Sequence, residues 1–160
     1  MGTRGRIGII LKDGSVNSIY NHWDSYPSYL GKMLLDNYKD EGKVSKLIAL
    51  GDCSSVREEV DIPEGMKHTF NEPLDNVTIS YMRDRGEKGC EPRIDKSEKD
   101  FWESDIEEYG YLFKDGKWFV ATSHGRYNEK TDEYIDIPAN KRKVIELTDE
   151  VCEKELQFLP

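Results

Sequence analysis

Arg4-Gly5-Arg6-Ile7-Gly8-Ile9-Ile10-Leu11-Lys12-Asp13-Gly14-Ser15-Val16-Asn17-Ser18-Ile19-Tyr20-Asn21-His22-Trp23 sets two β-prone runs on either side of an Asp-Gly pair. The pattern predicts a β-hairpin, because a type I′ turn needs two residues at positive φ and Asp-Gly supplies them. A two-residue turn places Lys12 opposite Ser15, and the register follows by counting back. Leu11 then faces Val16, Ile9 faces Ser18, Ile7 faces Tyr20 and Gly5 faces His22. On the other face Gly8 meets Ile19, Arg6 meets Asn21 and Arg4 meets Trp23. The first face is apolar near the turn, which marks it as the core face, and it turns polar toward His22 and Asp24 at the open end.

A second Asp-Gly pair, Asp115-Gly116, divides residues 109–122. Counting from it sets Phe113 opposite Trp118, Leu112 opposite Phe119 and Tyr111 opposite Val120. Both faces are apolar, as expected of a pair buried on two sides. Between the two lies helix 25–38, with Pro27 in its first turn and a stripe of Tyr26, Leu30, Met33, Leu34 and Tyr38. Asp40 caps a second helix carrying Val44, Leu47 and Ile48, which Gly51 ends. Residues 52–75 read mostly as loop. Residues 77–84 alternate like a strand, with Val77, Ile79, Tyr81 and Arg83 in one row. Ser97 and Asp100 open a short helix containing Phe101 and Trp102. Residues 122–141 read as an exposed polar loop, 143–147 as a last strand, and Thr148 as the cap of a C-terminal helix. This order predicts one α+β domain over 1–160, an antiparallel sheet built on two Asp-Gly hairpins with helices packed on it.

The chain has 160 residues, a length suited to one domain. With 36% hydrophobic and 34% charged residues, it affords a small core in a solvated shell, while three Trp, nine Tyr and five Phe are too many for a disordered chain. No apolar run approaches the ~20 residues of a membrane span, and the start lacks a signal-type apolar region. Cys53, Cys90 and Cys152 are isolated, as in a reduced cytoplasmic protein. Gly2 would suit myristoylation, but Arg6 stands where Ser or Thr is required. The net charge of −9, from 23 Lys+Arg against 32 Asp+Glu, repels a phosphate backbone and argues against a nucleic-acid polymer. It permits a small anion held by a few local arginines. No phosphate-loop or dinucleotide motif calls for a cofactor, no two histidines have metal-ligand spacing, and Ser54-Ser55 lacks a G-x-S-x-G context.

Two segments fall where an apolar strand face turns polar: Tyr20-Asn21-His22-Trp23-Asp24-Ser25-Tyr26-Pro27 and Tyr81-Met82-Arg83-Asp84-Arg85-Gly86-Glu87. Arg83 and Arg85 offer planar forks for phosphate or carboxylate, with Arg4 and Arg6 on the adjacent strand. Tyr20, Trp23 and Tyr26 offer surfaces on which a ring can stack. His22 and Asp24 share a strand face and could form an oriented His–carboxylate pair. Each group also has a purely architectural reading. Asp24 can cap the following helix, His22 can be a packed core histidine, and Arg83 and Arg85 can form ion pairs with Asp24, Asp84 and Glu87. Ser123-His124-Gly125-Arg126 is a weaker anion-site candidate.

On these residues the sequence resembles a group of small uncharacterised proteins of tailed phages and bacteria. The resemblance rests on Met1-Gly2-Thr3-Arg4, on the Y-x-H-[WY]-D-G-Y-x pattern at 20–27, on the Y-x-R-D-R-G-E pattern at 81–87, and on Leu50-Gly51-Asp52-Cys53-Ser54-Ser55. Ser25 stands where that group carries glycine, and Val56 where it carries leucine. The resemblance implies a viral setting, within the host cytoplasm, and supplies no mechanism. The expected function is a phage-type accessory protein, with a role in host counter-defence, that binds a small anionic, nucleotide-like ligand without turnover. An inhibitor of a host enzyme acting through an acidic and aromatic surface is the alternative, and a phosphoester hydrolase using His22 and Asp24 the third reading.

Overall fold

A computed structural model describes residues 2–154 of the chain. Strands β1 (Gly5–Ile10) and β2 (Val16–Asn21) pair antiparallel, with Ile7 opposite Ile19 and Ile9 opposite Asn17. The register is one residue away from the two-residue count. The cause is a three-residue turn, Lys12-Asp13-Gly14: Leu11 N donates to Ser15 O, Gly14 N donates to Leu11 O, and only Gly14 is left-handed, at φ 87°. Asp13 takes Ser15 N and Ser15 Oγ onto its carboxylate instead of adopting positive φ. A one-residue slip exchanges the faces. Ile7, Ile9 and Ile19 therefore point together into the main core, whereas Arg6, Ser18 and Tyr20 share the opposite face.

Helix follows as a wide first turn, Pro27–Gly31, running into α1 (Lys32–Asn37), and then α2 (Glu41–Ala49), where Asp40 accepts from Lys43 N. Residues 52–75 are not all loop: Cys53–Ser55 forms β3, parallel to β2 at Asn21. The strand expected over 77–84 shrinks to β4 (Ile79–Ser80) and turns into α3 (Tyr81–Arg85). The Asp84 carboxylate reaches back to Ser80 N at 2.8 Å, and Gly86 ends the turn at φ 71°, so Arg83 lies on a helix rather than in a strand row.

Next come β5 (Arg93–Asp95), α4 (Glu98–Glu103, capped by Ser97), β6 (Tyr109–Lys114) and β7 (Lys117–Thr122). The β6–β7 register sets Tyr111 opposite Val120 and Phe113 opposite Trp118, and Asp115 and Gly116 both take positive φ, at 52° and 75°. Residues expected as loop form a ribbon, β8 (His124–Asn128) with β9 (Glu133–Asp136), before β10 (Ile145–Glu146) and α5 (Asp149–Glu153).

The principal sheet is mixed rather than antiparallel, in the order β10-β7-β6-β1-β2-β3-β4, because β1 runs parallel to β6 and β2 parallel to β3. On one face Ile7, Tyr111, Phe113, Trp118 and Val120 pack under Leu34, Tyr38, Leu47 and Val151 from the helices, and Trp118 Nε1 donates to Tyr38 O at 2.8 Å. On the other, Phe101, Trp102 and Ile106 cover Val16, Leu112 and Ala121. That smaller core runs along this face from Val16, near the turn between β1 and β2, to Ala121, which shares a row with Gly110 and Arg6. Arg6, Ser18 and Tyr20 follow along the same face, where it turns polar.

The outer edge of β2 is shared. β5 takes Val16–Ser18 and β3 takes Asn21. Tyr20 N falls between them, and the Asp52 carboxylate accepts it at 2.9 Å.

Candidate functional site

Two arginine–carboxylate–histidine groups form in this part of the molecule, and they differ in how fully their hydrogen bonds are satisfied. The first is built on α3. Arg83 donates through Nε to Asp84 Oδ1 at 2.8 Å, through Nη1 to Val60 O at 2.6 Å, and through Nη2 to Thr78 O at 2.8 Å. Asp84, its side chain 1% exposed, also accepts from Ser80 N and from His68 Nε2 at 3.2 Å. His68 Nδ1 accepts Leu74 N at 2.9 Å, so its proton sits on Nε2 and is shared between Asp84 and Thr78 O. Burial works against the Asp84 charge, but the bonds from Arg83 and Ser80 N outweigh it and hold the carboxyl below its usual range. This group ties the 57–78 segment to α3. Arg83 and Asp84, expected as ligand contacts, have their hydrogen bonds taken up by the fold.

The second group gathers where β2 ends and β1 and β6 begin. Tyr20 OH and His22 Nδ1 are 2.6 Å apart, and the Arg4 guanidinium lies beside the same phenol. Arg6 faces Tyr20 across the strands and donates through Nη1 to Ser18 Oγ at 3.0 Å, while its Nε is buried without a hydrogen-bond partner. Burial and neighbouring Arg93 lower the Arg6 pKa against the pull of Asp52, Glu107 and Asp105. Burial raises the Asp52 carboxyl, which Tyr20 N and Arg6 pull back. Burial, then Asp105, raise Glu107 in the same way against Arg4 and Arg6. Burial also raises the Tyr20 phenol, which keeps its proton. Perturbed carboxyls around a partly buried arginine are a common property of functional sites.

Backbone strain marks the same place. Among the described residues four non-glycine residues take positive φ, and two of them, Asp24 at 56° and Glu107 at 60°, bracket this group, whereas Asp115 and Asp132 lie in turns. Glu107 is held by Asp105 Oδ1, which accepts its N at 2.8 Å, and by Ser123 Oγ, which donates to its O at 2.5 Å. Around Asp24 the chain folds back so that Ser25 N reaches Thr3 O and Tyr111 OH donates to Ser25 O. A Cβ on Gly5 would meet Ser25 Cβ at 2.6 Å, so glycine permits that close approach. Trp23 is 44% exposed and lies edge-on to the His22 ring at 4.8 Å.

Of the residues singled out in the sequence, Arg4, Arg6, His22 and Trp23 meet here. The His22–Asp24 pair does not form: His22 Nδ1 belongs to Tyr20, and the Asp24 carboxylate makes no hydrogen bond among the described residues. Arg85 pairs with Glu87 and lies over the Phe70 and Tyr81 rings, at 4.3 and 4.8 Å. Tyr26 stacks edge-on with Tyr29. The two motifs adjoin through Asp52, whose carboxylate holds Tyr20 N and whose carbonyl accepts Tyr81 N.

Sequence reasoning missed Asp52, in a segment read mostly as loop, and Glu107, in the acidic stretch 95–108 that reads as a solvated helix face. Asp52 lay within the quoted Leu50–Ser55 resemblance, but nothing local placed it against β2. Among the described residues no group of three His, Cys, Asp or Glu is set to hold a metal, and no helix is long and apolar enough to cross a membrane.

Chemically, the second group presents donors. Arg4 closes no salt bridge, Arg6 Nε is unpartnered, and His22 Nε2 has no hydrogen bond among the described residues. Comparison of the chain with protein-family models, with curated proteins and with solved structures finds no match.

Proposed function

We propose that the chain, acting as one α+β domain in a viral setting within the host cytoplasm, binds a small anionic, nucleotide-like ligand without turning it over. The observation that carries this reading is the convergence of Arg4, which closes no salt bridge among the described residues, Arg6, whose Nε is unpartnered, and His22 beside an exposed indole. The guanidinium and imidazole donors take phosphate oxygens, and Trp23 stacks the ring. The chain's net charge of −9 keeps polymers away while leaving the Arg4, Arg6 and His22 donors for a small anion. Binding without turnover fits the state of the Tyr20 phenol and the Cys53 thiol. The Tyr20 phenol is raised by burial, and the fully buried Cys53 thiol is raised by burial and by Asp52, so both stay protonated. Sequestration of a host signal nucleotide would make this a counter-defence activity.

The test is a panel of mono-, di- and cyclic nucleotides against the intact protein, by thermal shift and calorimetry. A binder is expected to lose about tenfold in affinity, or about 1.4 kcal/mol, in Arg4→Ala or His22→Ala. A panel with no binder, or an affinity unchanged from the wild type in both variants, would overturn the reading.

A second reading is favoured by the β8–β9 ribbon, where Tyr127, Tyr134 and Ile135 are all exposed. It makes the chain an inhibitor that docks on a host protein, with the ribbon supplying the apolar contact. A stoichiometric partner captured by the wild type and by Arg4→Ala, and lost in Tyr134→Ser, would favour it.

A further inference from the structure

We propose that Tyr20 is a positioning residue that holds His22 as its Nε2–H tautomer, so that this corner of the site reads a hydrogen-bond-acceptor oxygen. The inference rests on the ligand-binding reading and specifies which atoms of the ligand meet His22.

The 2.6 Å contact fits either proton direction, and the neighbouring arginine favours the phenol as donor to the ring. The phenol oxygen is 2.6 Å from His22 Nδ1, and that ring nitrogen is the only acceptor for the phenolic proton among the described residues. The Arg4 guanidinium, which is always a donor, approaches the same oxygen. In the proposed arrangement the phenol receives from Arg4 and donates to Nδ1, rather than accepting from both. An imidazole that accepts at Nδ1 carries its proton on Nε2. Burial, raising the Tyr20 pKa, keeps the phenolic proton available across the neutral range.

The molecule contains its own reference for this chemistry. At His68 a backbone donor, Leu74 N, occupies Nδ1 and fixes the same tautomer, and the Nε2 proton is then taken by Asp84 and Thr78 O. At His22 the Nε2 position has no hydrogen-bond partner among the described residues. A fixed donor with no acceptor is complementary to an unprotonated oxygen, of phosphate or carboxylate, and rejects a second donor in that position.

The experiment is a long-range proton–nitrogen correlation spectrum of the imidazoles in the full chain, at mildly alkaline pH. The three histidines make assignment by His22→Gln direct. The expected wild-type spectrum has a single Nε2–H form for His22, with its Nδ1 signal displaced by the accepted hydrogen bond. In Tyr20→Phe, which keeps the ring, that signal moves to the position of a water-exposed imidazole and both tautomers appear, while His68 is unchanged. Adding inorganic phosphate should shift His22 Nε2 in the wild type, with about threefold to tenfold weaker phosphate binding in Tyr20→Phe, the loss expected for one misplaced hydrogen bond. A proton on Nδ1 in the wild type, or an unchanged His22 spectrum in Tyr20→Phe, overturns the positioning role and leaves anion binding through the arginines standing. A fixed tautomer that neither phosphate nor any nucleotide perturbs overturns the acceptor role and the ligand-binding reading with it.

Discussion

His68 and His22 each have Nδ1 in a hydrogen bond, with Leu74 N in one case and with Tyr20 OH in the other, and each stands near an arginine and a carboxylate. The side chain of His68 is wholly buried, and every strong donor around it ends on a protein acceptor. His22 is half-buried, its Nε2 is open, and neighbouring Arg6 Nε is orphaned. Their carboxyls are tuned in opposite directions, Asp84 below its ordinary range and Asp52 and Glu107 above theirs. The same residue types thus form a clamp where bonding is complete and, where it is not, leave the donors on which the proposed ligand reading rests.

The largest expected effect lies in the clamp. Asp84→Ala leaves Arg83 and His68 without their common partner in a nearly closed site, and should cost about 3 kcal/mol or more in urea unfolding. His22→Ala should change stability by about 0.5 kcal/mol or less while weakening the proposed ligand binding about tenfold. Equal costs at the two sites would erase the distinction.

A smaller effect separates the groups by pH. Asp84, held low in the folded chain, contributes stability that is complete above the ordinary carboxyl range and is lost as pH falls through its folded value. Asp52 and Glu107, held high, contribute stability that is complete below that range and is lost as pH rises through their folded values. Melting temperatures across acid to neutral pH should show Asp84→Asn losing most at neutral pH. Asp52→Asn, which keeps an acceptor for Tyr20 N, should gain on the wild type as pH rises. Slopes of one sign in both variants would contradict the opposed tuning.

The smallest effect concerns strain. Glu107→Gly and Asp24→Gly relieve a left-handed backbone at φ 60° and 56°, and each should raise stability by up to about 1 kcal/mol. Loss of ligand affinity in the same variants would tie that strain to the site. A loss of stability instead would mean that the side chains themselves hold these corners.

The two Asp-Gly pairs show how far local sequence reaches. At Asp115-Gly116 both residues take positive φ, and counting from a two-residue turn gives the observed partners. At Asp13-Gly14 the following Ser15 offers two donors, Asp13 accepts both, and the turn lengthens by one. The helix caps Asp40, Ser97 and Thr148 were legible because a cap acts within three residues. The parallel pairing of β1 with β6 was not, because it joins Ile7 to Tyr111 across most of the chain. Nor was α3: Arg83 alternates like a strand residue until the Asp84 carboxylate is seen capping Ser80 N.

By itself, the sequence determined the strands and helices whose signals are local, the apolar positions that fill the core, and the candidacy of Arg4, Arg6, His22 and Trp23. Only the tertiary structure decided that Arg83 is bound into a clamp, that Asp52 and Glu107 belong beside Arg6, and that Tyr20 faces His22. Turns, caps and periodicity depend on neighbours a few residues apart. Whether a polar group has its hydrogen bonds satisfied depends on what distant segments bring to it. That satisfaction separates the group that holds the fold from the group left open to a ligand.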